Sequence, residues 1–390
     1  MVERTERSPE WNALAGLLVD VAADRRPADV RSVLNLPLRE VLAASDLHRI
    51  TPGVHRQLRD LPGVPHDWMR AFAHRRHEQV MRHLRAVEDL KVAANAMDDA
   101  GIPWVAVKGP VLSEQIWPSP SMRQYMDLDL IVDRHRFTDA LAVLRAAGIE
   151  QLDRNWPMLA ATMRAEVAMQ GRFGTVIDLH WDIAVPRQLR RDFRVDVGGM
   201  LSRARPIGLR DDTVRVRGLD PVDTVLHLVF HAAQAGAHLL VWLADIRFAV
   251  RQDGFDWAEL ERRARAARFD VPTALVIARA DRALEMDSPL PDWVRRRARS
   301  VWGRILEHRE RRHPVPGLPG EPHIGGNLYS AARNNLPLSA TRLVRSALEV
   351  RRIEARERTG KNIERELELD VPDAESRRSY LDTTELAARP

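Results

Sequence analysis

Two aspartates, Asp127 and Asp129, alternate with apolar residues over positions 126–132, which is typical of a half-buried β-strand. The alternation places both carboxylates on one face of the strand, where like charges at this spacing repel each other. A divalent cation between them removes the repulsion, because carboxylate oxygens are the ligands that Mg²⁺ prefers. Taken alone, the pair fits an acidic, half-exposed strand face better than a metal site.

Two neighbouring motifs change that balance. Lys108-Gly109 forms a turn that leads directly into a helix, with Pro110 as its first residue. A later strand predicted at 175–181 carries Asp178 and His180 on one face. The sequence therefore predicts three carboxylates and a glycine turn in one part of a sheet.

This combination favours phosphoryl or nucleotidyl transfer. Asp127, Asp129 and Asp178 on adjacent strands could hold two Mg²⁺ ions about 4 Å apart, as such reactions require. A glycine turn at a helix N-terminus offers N–H groups to phosphates. Lys108 or Arg123 could neutralise the charge that develops on them.

Several of these residues also have purely structural interpretations. Lys108 could form an ordinary salt bridge, and Arg123 could pair with one of the aspartates. His180 could line a base or acceptor pocket, or orient a neighbouring carboxylate. His227 and His231 have the i, i+4 spacing of a zinc site, but their Leu- and Val-rich helix favours packing against the catalytic sheet.

The elements that position these residues follow from periodicity. Strand, helix, strand and helix alternate between residues 102 and 147, which indicates an α/β unit. The segments before and after have helical spacing, and prolines follow Arg312. We divide the chain into a helical N-terminal region (1–98), a catalytic α/β domain (99–219), a helical C-terminal domain (220–312), and a final segment (313–390) that comprises a linker, a helix predicted at 337–368 and a frayed polar tail.

Composition excludes some classes of protein. The absence of cysteine excludes disulfides and thiolate metal sites. No apolar run is long enough for a membrane span and no signal peptide is evident, so we expect a cytoplasmic protein without membrane association. The net charge is +5, but 57 of the 60 basic residues are arginines interleaved with acidic residues. Basicity therefore favours nucleic-acid binding only slightly.

Over roughly residues 80–310 the chain resembles the uncharacterised nucleotidyltransferase family of the polymerase-β-like superfamily. The resemblance is carried by ordered motifs: Lys108-Gly109, Arg123-x3-Asp127-x-Asp129, Asp178-Leu-His-Trp181, His227 with His231, and Trp242-Leu-Ala-Asp245. It implies an α+β fold in which a mixed sheet is flanked by helices, with a helical N-terminal region and a helical C-terminal domain. One departure is visible, because the glycine-serine turn of the superfamily is Gly109-Pro110 here. The serine hydroxyl contact to phosphate is therefore missing.

The resemblance also implies site roles. Asp127 and Asp129 match the two metal aspartates and Asp178 matches the third carboxylate, so all three are predicted catalytic and metal-binding residues. A two-metal Mg²⁺ site and a nucleoside triphosphate (NTP) co-substrate such as ATP are expected. Nucleotide contacts are predicted for four residues: Lys108, Gly109, Arg123 and His180.

The predicted function is Mg²⁺-dependent transfer of a nucleoside monophosphate from an NTP to an acceptor hydroxyl or phosphate. Family members resemble tailoring enzymes of bacterial biosynthetic clusters, including those for peptide natural products. The acceptor (peptide, small molecule or RNA), the preferred NTP and the oligomeric state stay open. Two alternatives are a toxin that modifies tRNA or protein, and a non-catalytic binding module of the same fold. Three intact, mutually repelling aspartates weigh against the second.

Overall fold

The computed structural model describes residues 8–318, 327–358 and 370–386 of the chain. Helices α1 to α18 span Pro9–Ala22, Leu38–Leu47, Thr51–Leu58, His66–Asp99, Pro110–Gln115, Phe137–Ala146, Trp156–Thr162, Arg187–Asp192, Val197–Ser202, Pro221–Gln234, Leu240–Val250, Trp257–Ala266, Asp270–Leu284, Asp292–Ala298, Val301–Arg312, Asn327–Ser330, Leu336–Arg358 and Ala374–Leu386. Strands β1 to β9 span Trp104–Ala106, Asp127–Val132, Glu150–Gln151, Arg154–Asn155, Glu166–Gln170, Val176–His180, Arg205–Leu209, Val214–Gly218 and Asp370–Val371. Short 3-10 helices lie at Ser32–Asn35 and Arg134–Arg136.

Seven strands form one sheet in the order β3-β5-β6-β2-β1-β8-β7. Strand β2 is parallel to β6 and β1 is parallel to β8, whereas the other neighbours are antiparallel. Helices flank this mixed sheet, which confirms the predicted α+β fold.

The two faces of the sheet pack against different groups of helices. On β2, Leu128 and Leu130 are buried in a core shared with Leu179 of β6 and with α4, α6 and α18. Ile131 points to the other face, where it joins a second core formed largely by α1, α10, α11 and α13. Because side chains alternate along a strand, Asp127 and Asp129 share the face of Ile131 and therefore lie toward this helical core.

Helix α1 packs against α11 and α13, whereas α4 packs against the sheet. The predicted domain boundaries, including the one at residue 98, stay a prediction. Helix α4 buries residues at helical spacing, such as Phe72, Val87 and Leu90, and its remaining faces are strongly charged. None of the helices in the described ranges is long and apolar enough to cross a membrane.

The C-terminal end differs from the expected frayed tail. Strand β9 pairs in parallel with β4, and α18 packs on α7. The Tyr380 hydroxyl accepts a hydrogen bond from Trp181 Nε1 (2.9 Å) and donates one to the Arg164 carbonyl (2.7 Å). The predicted helix at 337–368 is observed as α17, and its last ten predicted positions lie outside the described residues. The sequence did not predict that α18 packs on the domain, because the helix is mostly polar and buries few apolar side chains, Tyr380 and Leu381 among them.

A buried histidine connects α2 to α11. His48 follows the last residue of α2, is fully buried, and accepts a hydrogen bond at Nδ1 from the Leu240 backbone N–H (3.3 Å). Its Nε2 has no hydrogen-bond partner among the described residues. Burial, reinforced by the nearby His238 and Arg279, lowers the pKa of His48 from 6.5 to about 3.

This pKa predicts acid sensitivity. The folded state disfavours the protonated form, so the contribution of His48 to stability is complete above pH 6.5 and is lost as the pH falls toward 3. Each pH unit in that window costs about 1.4 kcal/mol for one group. The free energy of unfolding of the wild type should therefore fall between about pH 6.5 and 5. In His48→Asn, whose amide oxygen can replace Nδ1 as acceptor, we expect this fall to be smaller by roughly 2 kcal/mol. Urea unfolding measures it, with the exposed His77→Asn as control; an unchanged pH slope for His48→Asn contradicts the prediction.

Candidate active site

The register between β2 and β6 brings the acidic residues together. Asp129 lies directly beside Asp178 in this parallel pair, and Ile131 lies beside His180. On the far side of β6, the antiparallel strand β5 places Glu166 next to His180. A polar cluster therefore forms on the face of the sheet that is turned toward α10.

Asp129 is the centre of this cluster. Its Oδ1 accepts a hydrogen bond from Lys108 Nζ at 2.9 Å and lies 3.2 Å from His180 Nε2. Its Oδ2 is buried and has no hydrogen-bond partner in the part of the chain that the structure describes. His180 Nδ1 lies 3.4 Å from a Glu166 carboxylate oxygen, a charge contact without a hydrogen bond among the described residues.

The pKa values of the carboxylates diverge. Burial alone would raise the pKa of Asp129, but the Lys108 ammonium and His180 outweigh it and hold this pKa well below its usual range. Burial and the neighbouring carboxylates raise the pKa of Asp178 to about 7, although His180 opposes them. Burial and the Asp129 charge also raise the pKa of Asp127. The cluster thus holds more carboxylates than its cations compensate.

Three of these residues have the geometry of metal ligands. Asp129, Asp178 and His180 each offer one ligand atom, and these atoms lie within 4.8 Å of one another. The donor set of two carboxylates and one imidazole suits a divalent cation. The carboxylate of Asp127 is outside this group but lines the same cavity.

The cavity over the cluster has a volume of about 310 Å³. The sheet forms its floor, and α10 contributes the buried His227 and the partly buried His231 to its wall. Burial and the adjacent Lys108 lower the pKa of His227 to about 3 and that of His231 well below its usual range. Both rings are therefore neutral, and His231 Nδ1 can accept a hydrogen bond from Lys108 Nζ at 3.4 Å. The pair faces the catalytic sheet, as its sequence context indicated.

Gly109 and Arg123 lie outside the residues that line the cavity. Gly109 has φ of +57°, and a Cβ there would lie 3.3 Å from the carbonyl oxygen of Asp127, so the close turn onto β2 requires glycine. Arg123 is buried in a two-bonded ion pair with Asp245 of α11, with both N–O distances at 2.8 Å. The partner of Arg123 is therefore an aspartate far away in the sequence, and not one of the three aspartates of the cluster. Nucleotide contacts by Gly109 and Arg123 stay predictions.

Two residues that contact the site or its supporting turn were not predicted from the sequence. Glu166 lies on β5, which is not among the strands predicted above, although Val167 and Met169 alternate there with polar residues and could have indicated a strand. Asp89 of α4 accepts hydrogen bonds from the backbone N–H groups of Phe173 (2.9 Å) and Thr175 (3.0 Å). These bonds fix the turn between β5 and β6 and thereby the start of the strand that carries Asp178.

Comparison with known proteins agrees with this geometry. A sequence model of the family described as uncharacterised nucleotidyltransferase matches residues 36–285. This range is more than half of the chain and includes β2, β5, β6 and α10, which carry the acidic cluster and its cavity. No curated protein and no solved structure matches the chain. The chain therefore belongs to this nucleotidyltransferase family and is a transferase of nucleotidyl groups.

Proposed function

We propose that this protein uses Mg²⁺ to transfer a nucleoside monophosphate from an NTP to an acceptor hydroxyl or phosphate, with release of pyrophosphate. The observation that carries the proposal is the buried cluster of Asp129, Asp178 and His180 at the floor of a cavity. Family membership supports nucleotidyl transfer, and the cluster supports its dependence on a divalent metal.

The residues present fit a divalent cation on two grounds. Asp129 keeps one buried carboxylate oxygen without a hydrogen-bond partner among the described residues, which is costly unless something binds there. Burial and the neighbouring carboxylates also raise the pKa of Asp178 to about 7, and a cation would stabilise the charged form against both. The carboxylates of Asp129 and Asp178 would hold the Mg²⁺ beside His180, and Asp127 matches a further ligand by family resemblance. Bound Mg²⁺ would activate the attacking oxygen and neutralise charge on the phosphates.

Lys108 is the residue that we propose binds phosphate. Its ammonium lies between Asp129 Oδ1 and His231 Nδ1 at the cavity wall. A neutral His231 can orient this ammonium by accepting a hydrogen bond without adding positive charge. An incoming phosphate could then take the place of one of these contacts.

In the proposed reaction an acceptor oxygen forms a bond to the α-phosphorus of the NTP. The bond between that phosphorus and the bridging oxygen breaks, and pyrophosphate leaves with the bonding electron pair. An acceptor hydroxyl releases its proton to solvent, whereas an ionised phosphate acceptor has none to release. The apolar residues Ile183 and Phe230 line the cavity and would limit the water that reaches the α-phosphorus of a bound NTP.

The direct test is to follow two labels. The protein is incubated with Mg²⁺, a small-molecule and peptide extract, and an NTP that carries ³²P at either the α- or the γ-position. We expect only the α-label to appear on an acceptor, while the unmodified acceptor is consumed and pyrophosphate is released. A chelator should abolish label transfer and pyrophosphate release. Transfer of the γ-label instead would identify a kinase and contradict the proposal.

A further inference from the structure

A second cavity adjoins the catalytic one. It has a volume of about 440 Å³, and Pro186 and Gln234 line both cavities, so the two share a wall. Helix α8, the end of α10, α16 and α17 enclose it. Its size falls within the range of small-molecule sites, roughly 300–1,000 Å³.

Arginine dominates the lining of this second cavity. Arg191, Arg342 and Arg345 line it, against the single acidic residue Asp192. Asp192 is already paired, since it binds Arg342 and also Arg333 at 3.2 Å. The structure describes no acidic partner for Arg191 or Arg345, both of which are exposed. The cavity therefore presents uncompensated positive charge within reach of a bound anion.

The position of the second cavity indicates which of the two substrates, the NTP or the acceptor, would bind there. The acceptor must reach the α-phosphorus from the side away from the leaving pyrophosphate, so it needs a binding region that adjoins the metal cluster. The wall from Ser330 to Arg345 lies beyond residues 36–285, the range that the chain shares with the family. Metal and nucleotide binding are common to nucleotidyl transfer, whereas acceptors differ, so a wall added outside the shared range fits the acceptor.

We propose that this second cavity binds an anionic group, phosphate or carboxylate, of the acceptor and thereby positions its reacting oxygen over the catalytic cluster. The assignment to the acceptor rests on the proposed nucleotidyl transfer. Arg191 and Arg345 provide the charge that the anion meets, and Gln234 lies where the two cavities meet.

The test uses Arg191→Glu/Arg345→Glu, with Arg217→Glu/Arg296→Glu as a control that makes the same change in net charge at exposed arginines outside both cavities. Inorganic phosphate and triglutamate serve as probes in calorimetric titrations, with an NTP analogue carrying an α,β-methylene bridge and Mg²⁺ present at saturation. We expect at least one probe to bind the wild type and the control equally and to bind the cavity variant about tenfold or more weakly. Arg191→Gln/Arg345→Gln should weaken binding in the same direction by less. The probe that binds distinguishes a phosphate group from a carboxylate.

Unchanged affinity of both probes for the cavity variant, or no binding to the wild type, overturns this proposal. An equal loss of affinity for the NTP analogue also overturns it, because the cavity would then belong to the nucleotide. Failure of the analogue to bind the wild type is a different result, since it contradicts the proposed nucleotidyl transfer itself. Both probe titrations are therefore repeated without nucleotide, so the two failures can be told apart.

Discussion

Replacing Asp129 with asparagine is expected to slow nucleotidyl transfer about 10³-fold or more, since it removes the charge at the centre of the proposed metal site. Asparagine has nearly the same shape but cannot supply an anionic ligand, and it leaves the Lys108 ammonium without the negative charge that lies 2.9 Å away. Asp178 remains in place, so the loss measures the charge at one position.

The matched control is Asp133→Asn, at the residue that follows β2. Asp133 caps a short 3-10 helix by accepting the His135 N–H, a role that asparagine also fills. Initial rates with α-labelled NTP, together with thermal unfolding of each variant, provide the measurement. Full turnover by Asp129→Asn would contradict a catalytic role for the cluster. An equal loss of turnover in both variants would show that any loss of charge near β2 slows the enzyme.

The largest expected effect on stability is at the Arg123–Asp245 pair. Asp245 is fully buried, binds Arg123 through both oxygens and also accepts a hydrogen bond from Trp117 Nε1 at 2.7 Å. Asp245→Ala would leave the buried guanidinium uncompensated, and we expect it to lower the free energy of unfolding by about 3–5 kcal/mol. The pair joins the segment before β2 to α11, so this loss would loosen the sheet against the helical core.

Two further variants make that prediction specific. Arg123→Met/Asp245→Leu removes both charges and should recover much of the lost stability, because no buried charge remains unpaired. Glu307→Gln breaks an exposed pair with Arg311 on α15 and should cost no more than about 1 kcal/mol. Denaturant unfolding compares the three. A loss below about 1 kcal/mol for Asp245→Ala would contradict the assigned role of the pair.

Local patterns in the sequence predicted much of the catalytic sheet. The alternation around Asp127 and Asp129 predicted β2 at 126–132, close to the observed Asp127–Val132. The predicted strand at 175–181 is observed as Val176–His180, with Asp178 and His180 on one face. These successes share a cause, because side-chain alternation is a property of a few consecutive residues.

Long-range pairings were beyond sequence reasoning. Nothing in either strand specifies that Asp129 and Asp178 should lie side by side, since register depends on how whole faces pack. Arg123 and Asp245 are separated by 122 positions, so only the folded chain identifies the partner. The docking of Tyr380 against Trp181 spans 199 positions in the same way.

If the Asp129 cluster binds a metal together with an NTP, titration calorimetry detects that binding without any knowledge of the acceptor. An NTP analogue with an α,β-methylene bridge is titrated into the wild type, Asp129→Asn and Asp133→Asn, with and without Mg²⁺. We expect Mg²⁺-dependent binding to the wild type and to Asp133→Asn, and an affinity about tenfold or more weaker for Asp129→Asn at an unchanged unfolding temperature. Equal binding by all three proteins, or binding that does not depend on a divalent metal, would contradict it.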